Sequence, residues 1–205
     1  MQIFDDRACI LGEGPLWHPE RRALFWFDIL GNRLMSRDAG GGRSWAFDEH
    51  VSAAGWIDAE TLLVASETAL FRLDLASGVR DDVCPLEADN LATRSNDGRA
   101  DPWGGFWIGT MGKGGEDGAG AIYRFYRGEL RRLIAPITVS NAICFDPGRR
   151  WAHFADTRRK LIWRQALDAR DGWPNGEPEA FIDLNAGGWK PDGAVIDADG
   201  NLYNA

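Results

Sequence analysis

The chain has 205 residues, 44% of them hydrophobic and 26% charged, the balance of a water-soluble globular protein with enough length for a sizeable core. A formal charge of −8 without a long Lys or Arg run argues against a nucleic-acid or anionic-membrane partner. No apolar run approaches the ~18–20 residues of a membrane span, and the start "MQIFDDRACILGEGPLW" has neither the basic region nor the apolar core of a signal peptide.

Strand-like runs follow one another along the chain at 23–30, 61–67, 69–75, 105–111, 121–126, 151–157 and 160–167. Each is short, rich in aromatic and branched residues, and bounded by turn clusters such as "DAGGGR", "DLASGVR", "DPWGG", "DPGRR" and "DADGN". No window combines helical periodicity with caps, so the expectation is an all-β protein. Ten tryptophans and 25 glycines suit that class. Cys9, Cys84 and Cys144 are odd in number and form no CxxC pair, which reads as structural thiols in a reduced, cytoplasmic setting. His18, His50 and His153 show no zinc-site spacing.

The runs recur in a fixed order. An apolar step into a polar turn and then a strand appears in "PLWHPERRALFWFD", "AGWIDAETLLVAS", "GRADPWGGFWIGT", "AICFDPGRRWAHFAD" and "AVIDADGNLYNA". The residues opening these turns are His18, Asp58, Asp101, Asp146 and Asp197, at steps of 40, 43, 45 and 51 residues. A loose period of this size with several short strands per unit predicts β-propeller blades. A sandwich of hairpins would account for the strands but not for the repeated turn. At this period the chain holds about four and a half blades, and the expectation is one propeller domain over 1–205 that is incomplete at its C-terminus. Exposed blade edges would then favour oligomerisation.

Polar residues stand five positions before four of the turn openers: Glu13, Asn96, Asn141 and Asp192. For Asn141 alone, inside "APITVSNAICFDPGRR", ordinary Ser-Asn turn chemistry is the competing reading. The equal offset in four units favours a shared site instead. Equivalent positions in blades converge on a central channel, and Glu, Asp and Asn oxygens together suit a hard divalent cation. Without thiolate or imidazole the set does not suit a structural zinc.

The segments "LGEGPLWHPERRALFWFDI", "RSNDGRADPWGGFWIGTM", "VSNAICFDP" with "FADT", and "KPDGAVIDADGNLYNA" resemble the SMP-30/gluconolactonase/regucalcin family along essentially the whole chain. The resemblance implies a six-bladed β-propeller, one divalent metal ion (Ca²⁺ or Zn²⁺ foremost, then Mn²⁺ or Mg²⁺) and hydrolysis of a sugar lactone. It implies that Glu13, Asn141 and Asp192 hold the metal, that Arg94 and Asn96 hold substrate, and that Glu116, before "GAGAIY", touches substrate as well. Family members are nearer 300 residues, so about a blade and a half is expected to be missing. Ala142 stands where the family has glycine, a change expected to leave Asn141 in place. The implied mechanism has the cation polarise the lactone carbonyl and acidify a bound water, with Asp192 as general base. Arg94 offers a fork of donors and Asn96 a donor and an acceptor. Trp17, Trp103 and Trp107 lie near these motifs, most of them expected in the blade core. Two other readings remain open at this level: a non-catalytic metal-binding or regulatory propeller, and an inactive fragment of a lactonase. A serine hydrolase is disfavoured by the absence of a GxSxG elbow.

Overall fold

The computed structural model describes residues 3–205, and no helix occurs among them. The chain divides into two compact units, Met1–Asp89 and Asn90–Ala205. In the first unit, β1 (Gly12–His18), β2 (Ala23–Asp28), β3 (Arg33–Asp38) and β4 (Gly41–Ala46) form one antiparallel sheet in sequence order. A second sheet follows, built from β5 (Val51–Trp56), β6 (Thr61–Ser66), β7 (Ala69–Asp74) and β8 (Arg80–Pro85).

The second unit repeats the plan. One sheet comprises β9 (Thr93–Ala100), β10 (Phe106–Gly112), β11 (Gly120–Tyr126) and β12 (Glu129–Ile137). The next comprises β13 (Ser140–Phe145), β14 (Trp151–Asp156), β15 (Leu161–Ala166) and β16 (Glu179–Asp183). The hairpin of β17 (Ala194–Ile196) and β18 (Leu202–Asn204) comes last. These are four β-propeller blades and a two-stranded sheet, each built strand by strand in chain order. Within each unit the first strands of successive sheets are neighbours: β1 lies beside β5, and β13 lies beside both β9 and β17.

The repeated turn opener has a physical role. Asp101 Oδ1 accepts the N–H groups of Trp103 and Gly105, each at 2.9 Å. Asp146 Oδ1 does the same for Arg150 and Trp151 at 2.6 and 2.7 Å, and Asp197 Oδ1 for Asp199 and Asn201 at 3.0 and 2.9 Å. Each carboxylate stands in for a backbone acceptor across the hairpin joining the first two strands of its sheet. His18 fills the place in the first blade through a 3.4 Å contact from Arg21 N–H to Nδ1.

Cores form between the sheets of each unit. Phe25, Phe27, Leu34, Val51, Leu62, Val64, Phe71 and Leu73 pack together in the first. Trp107, Ile122, Ile143 and Phe154 do so in the second, where Trp163 stacks on Phe154 with ring centroids 5.5 Å apart. Each fully buried aliphatic or aromatic side chain of this kind stabilises the fold by about 1.5–3 kcal/mol. Trp107 belongs to this core, but Trp103 is half-buried and Trp17 is exposed, so Trp17 does not fill the core place expected for most of these rings.

The strand count exceeds the sequence reading. The outermost strands β4, β8, β12 and β16 are mostly exposed and carry little apolar alternation; part of β4 lies within the "DAGGGR" read as a turn. The run read as 23–30 ends as strand at Asp28, whose buried carboxylate gathers the N–H groups of Ile10, Leu11 and Gly31. Asp28 Oδ2 also accepts a 2.5 Å bond from the Arg33 guanidinium.

Candidate functional site

Asn141 is the second residue of β13, not an interruption of it. The pairing of β13 with β14 slips between Asn141 and Cys144, a bulge in which Ala142 adopts φ 57°. The same device recurs. β1 slips between Glu13 and Leu16 with Gly14 at φ 59°, β5 slips between Val51 and Ala53, and β9 slips where Ser95 and Gly98 face Thr110 and Ile108. A bulge places an extra residue on one strand and re-aims its side chain. The positions five before the turn openers therefore sit in or next to a bulge in four blades, and in the second blade that position is Ala53, which brings no polar group.

Gly14 could not be replaced as Ala142 has been. A Cβ on Gly14 would lie 2.4 Å from the Ser52 carbonyl oxygen, inside contact distance. Ala142 has room in a small cluster with Cys144, Ala155, Ile162 and Ala194, but its left-handed backbone costs an L-residue about 1–2 kcal/mol. The exchange of glycine for alanine thus leaves Asn141 within its strand while loading the next peptide with strain.

In the second unit, hydrogen bonds connect the predicted residues in series. Arg94 Nη1 donates to Asn96 Oδ1 at 2.9 Å and to the Ser95 carbonyl at 2.8 Å. Asn96 Nδ2 donates to the Ser140 carbonyl at 2.8 Å and reaches Asn141 Oδ1 at 3.3 Å. Asn141 Nδ2 donates to Thr157 Oγ1 at 2.8 Å, and Thr157 Oγ1 donates to the Pro191 carbonyl at 2.7 Å, next to Asp192. The series runs from β9 through β13 to the segment that leads into β17. Arg94 and Asn141 are buried, Asn96 half-buried and Asp192 exposed.

Two acceptors are left with spare capacity. Among the described residues Asn141 Oδ1 meets only the long contact from Asn96, although the residue is 6% exposed. Asp192 is held by its backbone, with its N–H on the Ala205 carbonyl at 3.1 Å and its own carbonyl accepting Asn204 Nδ2 at 3.1 Å. No hydrogen bond reaches its carboxylate among the described residues. Neutral amide and carboxylate oxygens with unused lone pairs are what a hard divalent cation takes, so the donor set fits such an ion. Among the described residues no three His, Cys, Asp or Glu side chains gather at metal-binding distance; the pair here is one carboxylate and one amide.

Glu13 lies half-buried on β1 of the first unit. Glu116 lies on the loop between β10 and β11, exposed, with Oε2 accepting the Gly114 N–H at 3.1 Å; among the described residues no hydrogen bond joins it to the Arg94–Asn141 series.

Several further residues shape this site, Asp97 of "TRSNDGRADP" among them. Asp97 Oδ2 accepts the Ile143 N–H at 2.7 Å; burial pushes its carboxyl above the usual range, the Ile143 N–H and Arg99 work against that, and the charge of Asp192 adds to it. Asp156, fully buried at the end of β14, accepts the N–H groups of Thr138 and Val139 at 2.9 and 3.2 Å and so fixes the approach to Asn141. Asp28 holds Ile10 and Leu11 ahead of Glu13 in the same way, and the signal lay in the repeated aromatic-x-Asp of "FWFD" and "HFAD". All three cysteines are free thiols, and burial pushes Cys144 up to about 12, so it is no nucleophile at neutral pH.

The chain is similar to known proteins along almost its whole length. The chain is 34% identical to an L-arabinolactonase of Azospirillum brasilense over 99% of its length, covering 69% of that protein. It is 30% identical to a 6-deoxy-6-sulfogluconolactonase of Pseudomonas putida over 96% of its length, covering 68% of that one. A solved calcium-binding protein, regucalcin from Agrobacterium tumefaciens, superposes with a TM-score of 0.95 at 40% identity, covering 98% of this chain and 69% of that chain. A model of the SMP-30/Gluconolactonase/LRE-like region matches residues 11–205, and the chain belongs to that family.

Proposed function

We propose that this protein hydrolyses a sugar lactone with the help of one divalent cation, within a six-bladed propeller. The observation that carries the reading is the hydrogen-bonded series Arg94–Asn96–Asn141–Thr157–Pro191, which links Arg94 to Asn141 and ends at the residue before Asp192, whose carboxylate takes no hydrogen bond among the described residues. The lactonase names of relatives 30% and 34% identical support the substrate class.

Asn141 and Asp192 would hold the cation, Ca²⁺ or Zn²⁺ before Mn²⁺ or Mg²⁺, and Glu13 is the further ligand that the family resemblance implies. When bound, such an ion supplies Lewis-acid polarisation of the ester carbonyl and a more acidic water. The residues do the rest. Asp192 takes the proton from the attacking water and returns it to the ring oxygen as the ester opens. Arg94 presents its guanidinium to the oxygens of the substrate and opposes the charge that develops on the carbonyl oxygen. Asn96 holds substrate beside Arg94 and steadies Arg94 and Asn141 through its amide, and Glu116 contacts substrate from its loop. A small-molecule substrate and a cytoplasmic location complete the reading, and three free thiols suit that compartment.

The test is lactone hydrolysis by purified variants, followed with a pH indicator and corrected for spontaneous ring opening. Asp192→Ala is expected to lower kcat at least ~10²-fold, the scale of a lost general base. Arg94→Ala is expected to raise KM while leaving metal affinity near wild type. Full activity in Asp192→Ala would refute the mechanism. The 40% identity to a calcium-binding regucalcin favours a second reading, a calcium-binding protein without turnover. Tight calcium binding without hydrolysis of any aldonolactone would select it.

A further inference from the structure

The first strands β9, β13 and β17 belong to three different sheets, so no backbone ladder ties them to one another. Their spacing depends on packing and on side chains that cross between blades. One side chain crosses to both neighbours. Arg99, on β9, donates from Nε to the Ile143 carbonyl at 2.9 Å and from Nη2 to the Ala194 carbonyl at 3.1 Å. Ile143 lies two residues after Asn141, and Ala194 lies two residues after Asp192. The same guanidinium therefore grips the two ligand-bearing segments at matching places.

Asp97 adds a second hold from the same strand. Its carboxylate accepts the Ile143 N–H at 2.7 Å, so Ile143 is held at its N–H by Asp97 and at its carbonyl by Arg99. The residue just before it is the left-handed Ala142, the strained point of the bulge that turns Asn141. A bulge under strain relaxes unless its surroundings over-determine it.

We propose that Arg99 is a positioning residue that sets the separation between Asn141 and Asp192, with Asp97 locking the bulge, and that it thereby governs metal affinity. The inference rests on the metal-site reading above. A planar guanidinium is suited to the task because its Nε–H and Nη2–H donors keep a fixed mutual geometry, and the two carbonyls they hold are fixed with them. An ammonium at the end of a flexible stem reaches one carbonyl or the other.

The experiment is calorimetric titration of CaCl₂, and separately MnCl₂, into the EDTA-stripped chain and its variants. Arg99→Met is expected to weaken binding about 10–100-fold, the range for outer partners of metal ligands. At saturating metal its kcat is expected to return to the wild-type value, since no group that touches substrate has changed. Arg99→Lys should fall between Arg99→Met and wild type. A merely structural arginine would give the reverse: earlier unfolding in urea with metal affinity unchanged. If Arg99→Met binds both ions as tightly as wild type, the inference is overturned while the metal reading stands. Should Arg99→Met fail to fold, Arg99→Lys decides, with undiminished affinity as the overturning result. A wild-type chain that binds neither ion removes the metal reading and this inference with it.

Discussion

Ala142 at φ 57° and Gly14 at φ 59° occupy the same place in two bulges, one residue after Asn141 and after Glu13. Glycine adopts this conformation without the Cβ penalty, so Ala142→Gly should relieve strain of about 1–2 kcal/mol while giving back about 0.5–1 kcal/mol through the looser unfolded chain. The expected net gain is roughly 0.5–1 kcal/mol, read as a higher urea midpoint at constant slope; a lower midpoint would mean that alanine is not strained there. At this scale the sequence offers Glu13, Asn96, Asn141 and Asp192 as candidates because a five-residue offset repeats along it, and the structure joins Asn96 to Asn141 by a 3.3 Å contact. Arg99 was not singled out, because its partners Ile143 and Ala194 lie on other sheets and no local spacing encodes which carbonyl a side chain will meet.

Elements were legible in proportion to how much apolar surface they bury. The middle strands β2, β6, β10 and β14 are largely buried and stood out as apolar runs, whereas the outermost strand of each blade faces water on much of its length and offers no alternation. β9 was hidden for another reason: "TRSNDGRA" is almost wholly polar because it carries the bonded pair Arg94 and Asn96 and side chains that donate to the next sheet.

Asp28 shows what an element end can require of one carboxylate. Burial would raise its pKa, but the Arg33 guanidinium and the N–H groups of Leu11, Gly31 and Ile10 outweigh burial and hold it below the usual value. A folded-state pKa below the unfolded one gives stability that is complete above the ordinary carboxylate range near ~4 and is lost as pH falls through the folded value. Asp28→Asn should therefore be less stable than wild type at neutral pH and lose less on further acidification. Urea unfolding at neutral and at acidic pH checks this; parallel losses in both proteins would show that Asp28 does not couple folding to pH.

At the scale of the molecule, the four blades carry one repeated plan: a first strand with a bulge, a turn closed by its opening side chain, and further strands that complete the sheet over the core. The number of blades was readable as a period. The family followed from motifs in order along the chain, and residues 11–205 match it. The chemistry assigned to the plan needs an acidic, metal-holding centre and a neutral, hydroxyl-rich substrate, and a chain of net charge −8 is no obstacle to either.

The most direct test is hydrolysis of gluconolactone, xylonolactone and arabinonolactone by the purified chain before EDTA, after EDTA, and after restoring Ca²⁺, Zn²⁺ or Mn²⁺. Hydrolysis that vanishes with chelation and returns with at least one ion is the predicted result. Hydrolysis that persists undiminished in the stripped protein would contradict the central claim.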